Sequence, residues 1–252
     1  MAKIKRPLLF TLSLLPIALV AGYFVGLYQL STYSEETLSE LMSQIGSEDV
    51  FIAVCIAQTV GYAIFCGFFG YILAEKIGLI KPLALNLKAL FVTIAVSLVG
   101  GALFSLDYWT FGAFIDGVKE SAAASVSRDS IIAMVLYGGI IEEVMMRLFV
   151  MSLIAFILWK LFFRSYDGES LPTGVFVLAN ILAALGFAAG HLPATLLTFG
   201  TITPLILFRC FLLNGGFALI FGRLYRKYGI FYAMLAHTMF HVVSKGIYII
   251  FI

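Results

Sequence analysis

The chain has 252 residues, of which 62% are hydrophobic and 12% are charged, and its formal net charge is +2. About a quarter of the residues in a soluble domain are charged, so this composition excludes a soluble protein and predicts one integral membrane domain over residues 1–252. The small net charge, without a basic stripe, excludes a nucleic-acid partner. The three cysteines lie inside apolar runs and lack metal-type or disulfide-type spacing, which is typical of buried or lipid-facing cysteines. They are Cys55, Cys66 and Cys210.

In chain order, the apolar runs predict an all-α, polytopic helical bundle. A membrane-spanning helix needs about 20 apolar residues. The apolar stretch Leu192–Phe199 is shorter, which is typical of a re-entrant turn, and residues 107–127 mix aromatic with polar side chains, which favours an interfacial segment. We therefore expect seven spans, or eight if residues 107–127 insert. The predicted spans are Leu8–Leu27, Val50–Leu73, Leu87–Phe104, Ser130–Phe163, Thr173–Gly190, Leu205–Tyr225 and Ile230–Ile252.

Charged residues outside the spans indicate the orientation. The first span follows Lys3, Lys5 and Arg6, and cytoplasmic segments of membrane proteins are rich in lysine and arginine. Its apolar region is longer than that of a signal peptide, and no small-residue cleavage site follows it. We predict a multi-pass protein of the cell membrane with a cytoplasmic N-terminus. With seven spans, the same side carries Lys76, Lys81, Lys160, Arg164, Arg223, Arg226 and Lys227, and the opposite side carries Glu35, Glu36, Glu40, Glu48 and Asp49.

Several ionisable residues lie inside or beside the predicted spans, where each is costly to bury and usually marks a functional site. All three histidines of the chain are among them. Arg209 and Lys245 belong to no motif. We expect Lys245 to reach the membrane interface and Arg209 to reach the interface or cap a cavity, neither with a catalytic role. The remaining ionisable residues of the spans are Glu142, Glu143, Arg147, His191, His237 and His241.

Helical spacing gives these side chains a direction. Glu143 and Arg147 are four residues apart and share a face, which predicts an ion pair that fixes the orientation of the helix. Glu142 lies about 100° around the same helix and is free to face a neighbouring helix, as a proton-relay or ion site or as a neutral, hydrogen-bonded acid. His237 and His241 are also four residues apart and share a face.

Two kinds of chemistry are compatible with these groups. In one, a glutamate is the general base for a water molecule, a histidine shares the proton transfer, and other groups stabilise the oxyanion. In the other, a zinc ion held by Glu142, His191, His237 and His241 activates the water. The H-E-x-x-H zinc-protease motif is absent, which lowers the metal alternative without removing it.

Three stretches carry a resemblance to a known family. Glu142-Glu143-x-x-x-Arg147, Phe187-x-x-x-His191 and His237-x-x-x-His241 follow one another on separate predicted helices. In this order they resemble the motifs of the CAAX proteases and bacteriocin-processing proteins, the glutamic intramembrane proteases also called the Abi family. The resemblance covers residues 129–252. It implies an active site in an intramembrane cavity.

The resemblance also implies a role for each residue. Glu142 would be the general base, His191 would assist it, and His237 would help to hold the oxyanion, without a cofactor. His241 stands where the family has asparagine; its imidazole could donate a hydrogen bond as an amide does, favour a metal, or leave the site inactive. Supporting residues that would orient this catalytic set are Glu143, Arg147 and Phe187.

The predicted function is therefore that of an intramembrane endopeptidase. Its expected partners are membrane lipid and a small or lipidated peptide precursor presented at the membrane. Two other classes stay open. One is an inactive immunity or scaffold protein with the same fold, and the other is a proton- or ion-coupled transporter. The transporter ranks last because the chain shows no internal repeat.

Overall fold

The computed structural model describes residues 2–162 and 171–252, and every regular element in them is a helix. Seven helices are long and apolar enough to cross a membrane, which confirms the predicted all-α membrane bundle. We number the helices α1 (Ala2–Thr32), α2 (Glu35–Ile45), α3 (Glu48–Lys76), α4 (Leu87–Ser105), α5 (Val118–Ala124), α6 (Arg128–Phe162), α7 (Thr173–Gly190), α8 (Leu192–Phe199), α9 (Pro204–Tyr228) and α10 (Ile230–Phe251). The short helices α2, α5 and α8 do not span.

Polar residues just upstream of the apolar runs define where the helices begin. The side-chain oxygen of each accepts a hydrogen bond from a backbone N–H of the first turn. This N–H has no carbonyl acceptor within the helix. Helices α3, α6 and α9 therefore start one or two residues before the apolar runs that predicted them. The capping residues are Ser34 for α2, Ser47 for α3, Asn86 for α4, Ser127 for α6 and Thr203 for α9.

Two connecting segments decide between seven and eight spans. Residues 106–124 form two short 3₁₀ helices, Leu106–Tyr108 and Phe111–Ala113, followed by α5. None of these is long enough to cross a bilayer, so the seven-span prediction is correct. Leu192–Phe199, predicted as a re-entrant turn, is the helix α8. Phe163 and Arg164, which entered the span and orientation predictions, lie outside the described residues.

Helix α6 is the centre of the bundle. It packs against α1 and α3 on one side, α7 on another and α10 on a third, while α10 also pairs with α4. The main core lies between these helices and contains Leu14, Ala63, Leu148, Ala179 and Tyr225, all buried. Because the other faces of the spans expose leucine and phenylalanine, the apolar surface of the bundle suits lipid contact.

Three stretches of the spans are π-helical rather than α-helical. Two are in α6, Met134–Ile141 and Val144–Met151, and one is in α9, Phe211–Gly215. A π-helix is wider than an α-helix and is frequently found at functional sites. Glu142 and Glu143 occupy the two positions between the π-helical stretches of α6.

Candidate active site

A cavity of about 470 Å³ lies inside the bundle between α1, α6, α7, α9 and α10. Glu142, His191, His237 and His241 all line it, so the four residues predicted to be catalytic meet at one place. A second cavity of about 170 Å³ shares His191 and other wall residues with the first. These polar side chains therefore face an internal space, not the lipid surface of the bundle.

Glu143 is the centre of a buried charged cluster that joins α6 to α10. Its carboxylate is fully buried, and Oε1 lies 2.9 Å from Nη1 of Arg147 and 2.8 Å from Nδ1 of His237. The pairing predicted from the four-residue spacing of Glu143 and Arg147 is confirmed. Because a carboxylate paired with arginine accepts hydrogen bonds, Nδ1 of His237 carries a proton, and this N–H donates a hydrogen bond to Oε1. Glu143 thus orients the ring of His237 as well as Arg147.

Phe187 connects this cluster to His191. The guanidinium carbon of Arg147 lies 5.0 Å from the centre of the Phe187 ring and 5.7 Å from that of Phe221, which is cation–π geometry. The Phe187 ring is also 4.5 Å from the His191 ring, centre to centre. The F-x-x-x-H pattern therefore has a physical basis, since one aromatic ring contacts both the buried arginine and the histidine one turn later.

His191 lies at the junction of α7 and α8, where its ring has a defined tautomer. Nδ1 is 2.8 Å from the backbone carbonyl oxygen of Phe187. A carbonyl can only accept, so Nδ1 donates the hydrogen bond and holds the ring proton. In the neutral ring, Nε2 is then an unprotonated acceptor.

His241 is stacked on His237, with ring centres 4.8 Å apart and planes inclined by 25°. Its Nδ1 is buried without a hydrogen-bond partner among the described residues, while its Nε2 lies over Gly138, where an added Cβ would be 2.8 Å away. Buried N–H groups without a partner are rarer than unpaired acceptors. The neutral ring is therefore expected to carry its proton on Nε2 and leave Nδ1 bare.

Helices α6 and α10 cross beside these histidines. A Cβ on Gly139 would lie 2.7 Å from Cα of Thr238 and would also collide with the Thr238 hydroxyl. Only a residue without a side chain allows the two backbones to approach this closely. Because Thr238 follows His237 directly, the crossing fixes the spacing between α6 and the histidines of α10.

Residues 128–243 match the family model of the type II CAAX prenyl endopeptidases, described as Rce1-like. This region is an Rce1-like domain. The match spans the three motifs and confirms the family predicted from them. It indicates a CAAX-type intramembrane protease that is a multi-pass membrane protein. Comparison of the chain with curated proteins and with solved structures gave no match.

Glu142 is the carboxylate of the Rce1-like domain that lines the cavity. It is partly buried. Within residues 2–162 and 171–252, no hydrogen bond or ion pair engages its carboxylate. The adjacent Glu143, by contrast, is fully buried and contacts Arg147 and His237 through Oε1. The two neighbouring glutamates therefore have separate tasks, one facing the cavity and one holding the helices together.

The side chains around the cavity include histidine and carboxylate groups, which are possible ligands of a metal ion. A structural or catalytic zinc ion takes at least three protein ligands, mostly histidine, cysteine or carboxylate. In the described part of the chain, no three such side chains are grouped to hold an ion. Nδ1 of His237 and Nδ1 of His191 form hydrogen bonds to Glu143 and to a backbone carbonyl, respectively, which leaves Nε2 of each ring as its possible ligand atom. The zinc set stays an alternative prediction, and the reaction proposed for this site does not use a metal.

Two residues of the cavity wall were not predicted from the sequence. Lys245 was expected at the membrane interface, but it is only 5% exposed and lines the main cavity. The signal was present, because Lys245 is one helical turn beyond His241 on the same face. Asn214 lines both cavities, and its Nδ2 donates to the backbone carbonyl of Cys210 over 2.9 Å, which leaves Oδ1 as an acceptor.

Arg209 and Asp107 form a second buried ion pair near the cavities. Nε of Arg209 donates to Oδ1 of Asp107 over 2.7 Å, and a second guanidinium nitrogen donates to Oδ2. Arg209 lines the smaller cavity, so of its two predicted positions the one beside a cavity is correct. Asp107, at the start of the predicted interfacial segment, is buried by this pairing.

Proposed function

We propose that this protein is an intramembrane endopeptidase in which Glu142 activates the water that hydrolyses a peptide bond. The observation that carries the proposal is the uncommitted carboxylate of Glu142 in a cavity shared with three histidines. A general base needs a free lone pair within reach of a water molecule. Glu142 meets this need, while Glu143 is fully buried and does not line the cavity.

His191 would orient the same water. Its Nε2 is an acceptor because Nδ1 donates to the Phe187 carbonyl. A water molecule that donates one hydrogen to Glu142 and the other to Nε2 of His191 directs its oxygen lone pair at the substrate carbonyl. The hydrogen bond from Nδ1 to the backbone fixes the tautomer of His191 and so keeps Nε2 available as the second acceptor.

His241 and His237 would stabilise the oxyanion. With its proton on Nε2, His241 offers a neutral N–H donor, which is the role that an asparagine amide can perform at the same position. His237 can donate from Nε2 only as an imidazolium, since the proton of its neutral ring is on Nδ1. In that form, Nδ1 keeps its hydrogen bond to the carboxylate of Glu143, 2.8 Å away.

Glu142 carries the proton through both steps of the proposed reaction. It removes a proton from water as the water oxygen bonds to the carbonyl carbon. When the carbon–nitrogen bond breaks, the same proton passes to the leaving amine. The products are a new carboxylic acid, which keeps the second hydrogen of the water, and a new amine, and Glu142 returns to its ionised form.

We further propose that the substrate is a lipidated or small precursor peptide that reaches the cavity from the membrane. The cavity lies at the depth of the spans, and aromatic residues such as Phe217, Phe221 and Phe240 form much of its wall. An apolar wall with a few convergent polar groups suits a peptide that carries an apolar or lipidated segment.

We also propose that the N-terminus is cytoplasmic, because Lys76, Lys81, Arg226 and Lys227 lie at the same end of the bundle as the start of α1. The cavity extends from the middle of the spans toward the other end, where it reaches Gln29. It would then open away from the cytoplasm. Reporter fusions at the C-terminus test this: an extracytoplasmic C-terminus is expected, and a cytoplasmic one would reverse the orientation.

The test of the reaction uses purified protein and a farnesylated peptide that ends in the sequence CVIM. The variant Glu142→Gln keeps the size of the side chain and removes the base, and we expect kcat/KM to fall by about 100–10,000-fold. Glu36→Gln, on the exposed surface of α2, is the matched control and should match the wild type. Unchanged cleavage in Glu142→Gln would refute the proposed base.

A second comparison tests the oxyanion role of His241 against the inactive alternative. His241→Asn keeps a neutral donor and should retain most of the activity, whereas His241→Leu should lose about 100–1,000-fold in kcat/KM. Activity that appears only in His241→Asn would mean that the natural histidine has made the protein a non-catalytic member of its family. Equal activity in both variants would remove His241 from the oxyanion site.

A further inference from the structure

The smaller of the two cavities adjoins the active site, and the proposed reaction does not use it. Its volume is about 170 Å³. The wall residues that it shares with the main cavity are Phe104, His191, Ala194, Leu213 and Asn214. The smaller cavity therefore meets the main one at His191, the residue proposed to orient the hydrolytic water.

One polar face of α8 lines the smaller cavity. His191 directly precedes α8, and Thr195 and Thr198 follow it at spacings of four and three residues. Side chains at these spacings lie on one face of a helix. Oγ1 of Thr195 donates to the backbone carbonyl of His191 over 2.8 Å, and Oγ1 of Thr198 donates to that of Ala194 over 2.9 Å. Because these bonds engage the hydroxyl hydrogens, both oxygens remain acceptors for a ligand in the cavity.

Helix α9 adds further polar groups to this wall, and their charges are balanced. Asp107 accepts hydrogen bonds from two nitrogens of Arg209, so the two side chains are neutral together. A guanidinium group has more N–H groups than these two, which leaves donors for the cavity. Oδ1 of Asn214 is a further acceptor, since its Nδ2 is the atom that bonds to Cys210. A wall that is neutral and offers both donors and acceptors suits water better than an anion or an apolar group.

The size and the position of the smaller cavity also suit a supply of water. A water molecule occupies about 30 Å³ in the liquid, so the cavity has room for about five molecules. Helix α7 has 18 residues and a length of about 27 Å, close to the thickness of the hydrocarbon core of a bilayer. The next helix, α8, therefore lies near the membrane surface opposite the start of α7. Thr198, near the end of α8, is exposed there.

We propose that the smaller cavity is a water-binding site that supplies the hydrolytic water to His191 while a peptide fills the main cavity. This inference rests on the proposed peptidase function. A ligand buries most of its surface in a pocket of this kind, so a bound peptide closes the main cavity to new water. Each cleavage consumes one water molecule, which the smaller cavity can replace. Thr195 and Thr198 are positioning residues that hold this water and take no part in proton transfer.

The first test detects the water without relying on activity. X-ray radiolysis of the purified protein generates hydroxyl radicals from water, bound water included, and these radicals oxidise neighbouring side chains. Cys210 lines the smaller cavity, whereas Cys66 is buried in the main core, lines neither cavity and is the matched control. We expect Cys210 to be oxidised several-fold faster than Cys66, although Cys210 is the less exposed of the two. Equal rates would overturn the proposed water site.

A second measurement determines whether the water stays when a peptide is bound. The Glu142→Gln variant is irradiated with and without the farnesylated peptide that ends in CVIM. Met134 lines only the main cavity and reports its occupancy. We expect the peptide to protect Met134 and to leave the oxidation of Cys210 unchanged. Protection of both residues would overturn a separate supply, whereas an unprotected Met134 would count against the proposed peptide substrate, and so against the function on which the inference rests.

Variants of Thr195 connect the water to turnover. Thr195→Val removes the hydroxyl group, and we expect kcat for the farnesylated peptide to fall about 3–10-fold with KM unchanged, because a hydrogen bond to the water is lost. The oxidation of Cys210 should fall in the same variant. Thr195→Ser keeps the hydroxyl group and should retain most of both values. Thr201→Val, an exposed threonine that lines neither cavity, is the matched control.

The two readouts distinguish a supply of water from a structural effect of the same substitution. An unchanged kcat in Thr195→Val, together with slower oxidation of Cys210, would overturn the supply of water to the reaction. A lower kcat with unchanged oxidation of Cys210 would overturn it as well, because the loss would then come from the position of His191 alone. Absence of cleavage by the wild type would instead count against the peptidase function.

Discussion

Replacing Glu143 by glutamine removes the anion that two buried side chains share. Arg147 is 2% exposed, and among the described residues its guanidinium group would keep the carbonyl of Ala218 and two aromatic rings as neighbours. Removal of one partner from a buried ion pair costs about 3–5 kcal/mol, because the other charge stays buried and uncompensated. For a chain of this size, each kcal/mol lowers Tm by about 2–4 °C, so we expect a decrease of about 6–20 °C.

The native cysteines of the chain can report the thermal unfolding that this prediction concerns. Cys55, Cys66 and Cys210 are free and buried, so a thiol-reactive dye should label them only as the protein unfolds. Thermal unfolding in detergent can therefore be followed by dye fluorescence in Glu143→Gln and in the surface control Glu36→Gln. A decrease in Tm of less than about 2 °C in Glu143→Gln would refute the assignment of a buried ion pair.

A double variant separates stability from activity. Glu143→Leu combined with Arg147→Met removes both charges, and apolar replacement of a buried ion pair is often neutral or stabilising. We expect its Tm to recover most of the loss seen in Glu143→Gln. Its activity should stay low, because His237 would lack the carboxylate that orients its ring. A double variant that is both stable and fully active would contradict the role given to Glu143.

Three further predictions follow from the same geometry. Gly139→Ala should cost about 1–3 kcal/mol in stability because its methyl group meets the backbone of Thr238, whereas Gly186→Ala, which meets open space, should not destabilise; thermal unfolding compares them. Gly138→Ala should reduce kcat/KM when His241 is present. Combined with His241→Asn it should not, because the shorter asparagine side chain leaves room for the methyl group. Dialysis against a metal chelator should leave kcat/KM unchanged, and a loss that zinc restores would contradict the metal-free mechanism.

Much of the site was predictable because the relevant constraint acts within one helix. The pairing of Glu143 with Arg147 and the shared face of His237 and His241 follow from a spacing of four residues. The separate direction of Glu142 follows from the 100° step between neighbours in an α-helix. Helix ends were less accurate, because caps such as Ser127 extend a helix beyond its apolar run.

The features that the sequence did not predict depend on contacts between helices. Nothing in the spacing indicates that Glu143 also binds His237, 94 residues later in the chain. The same holds for Gly138, whose missing side chain makes room for the His241 ring. Lys245 was misplaced because a lysine near a helix end usually extends to the interface. Here Ser125, in the connection before α6, holds it inside.

The pairing of Glu143 with Arg147 has a consequence for the synthesis of the protein. Helix α6 enters the bilayer before α10 has been made, at a time when His237 is not available. An acidic or basic residue at the centre of an inserting helix costs about 2.5–3.5 kcal/mol. Because Glu143 and Arg147 are one turn apart, they can neutralise each other within α6 alone. The helix that carries Glu142 can therefore be inserted with a counter-ion already in place, and the later arrival of α10 completes the cluster.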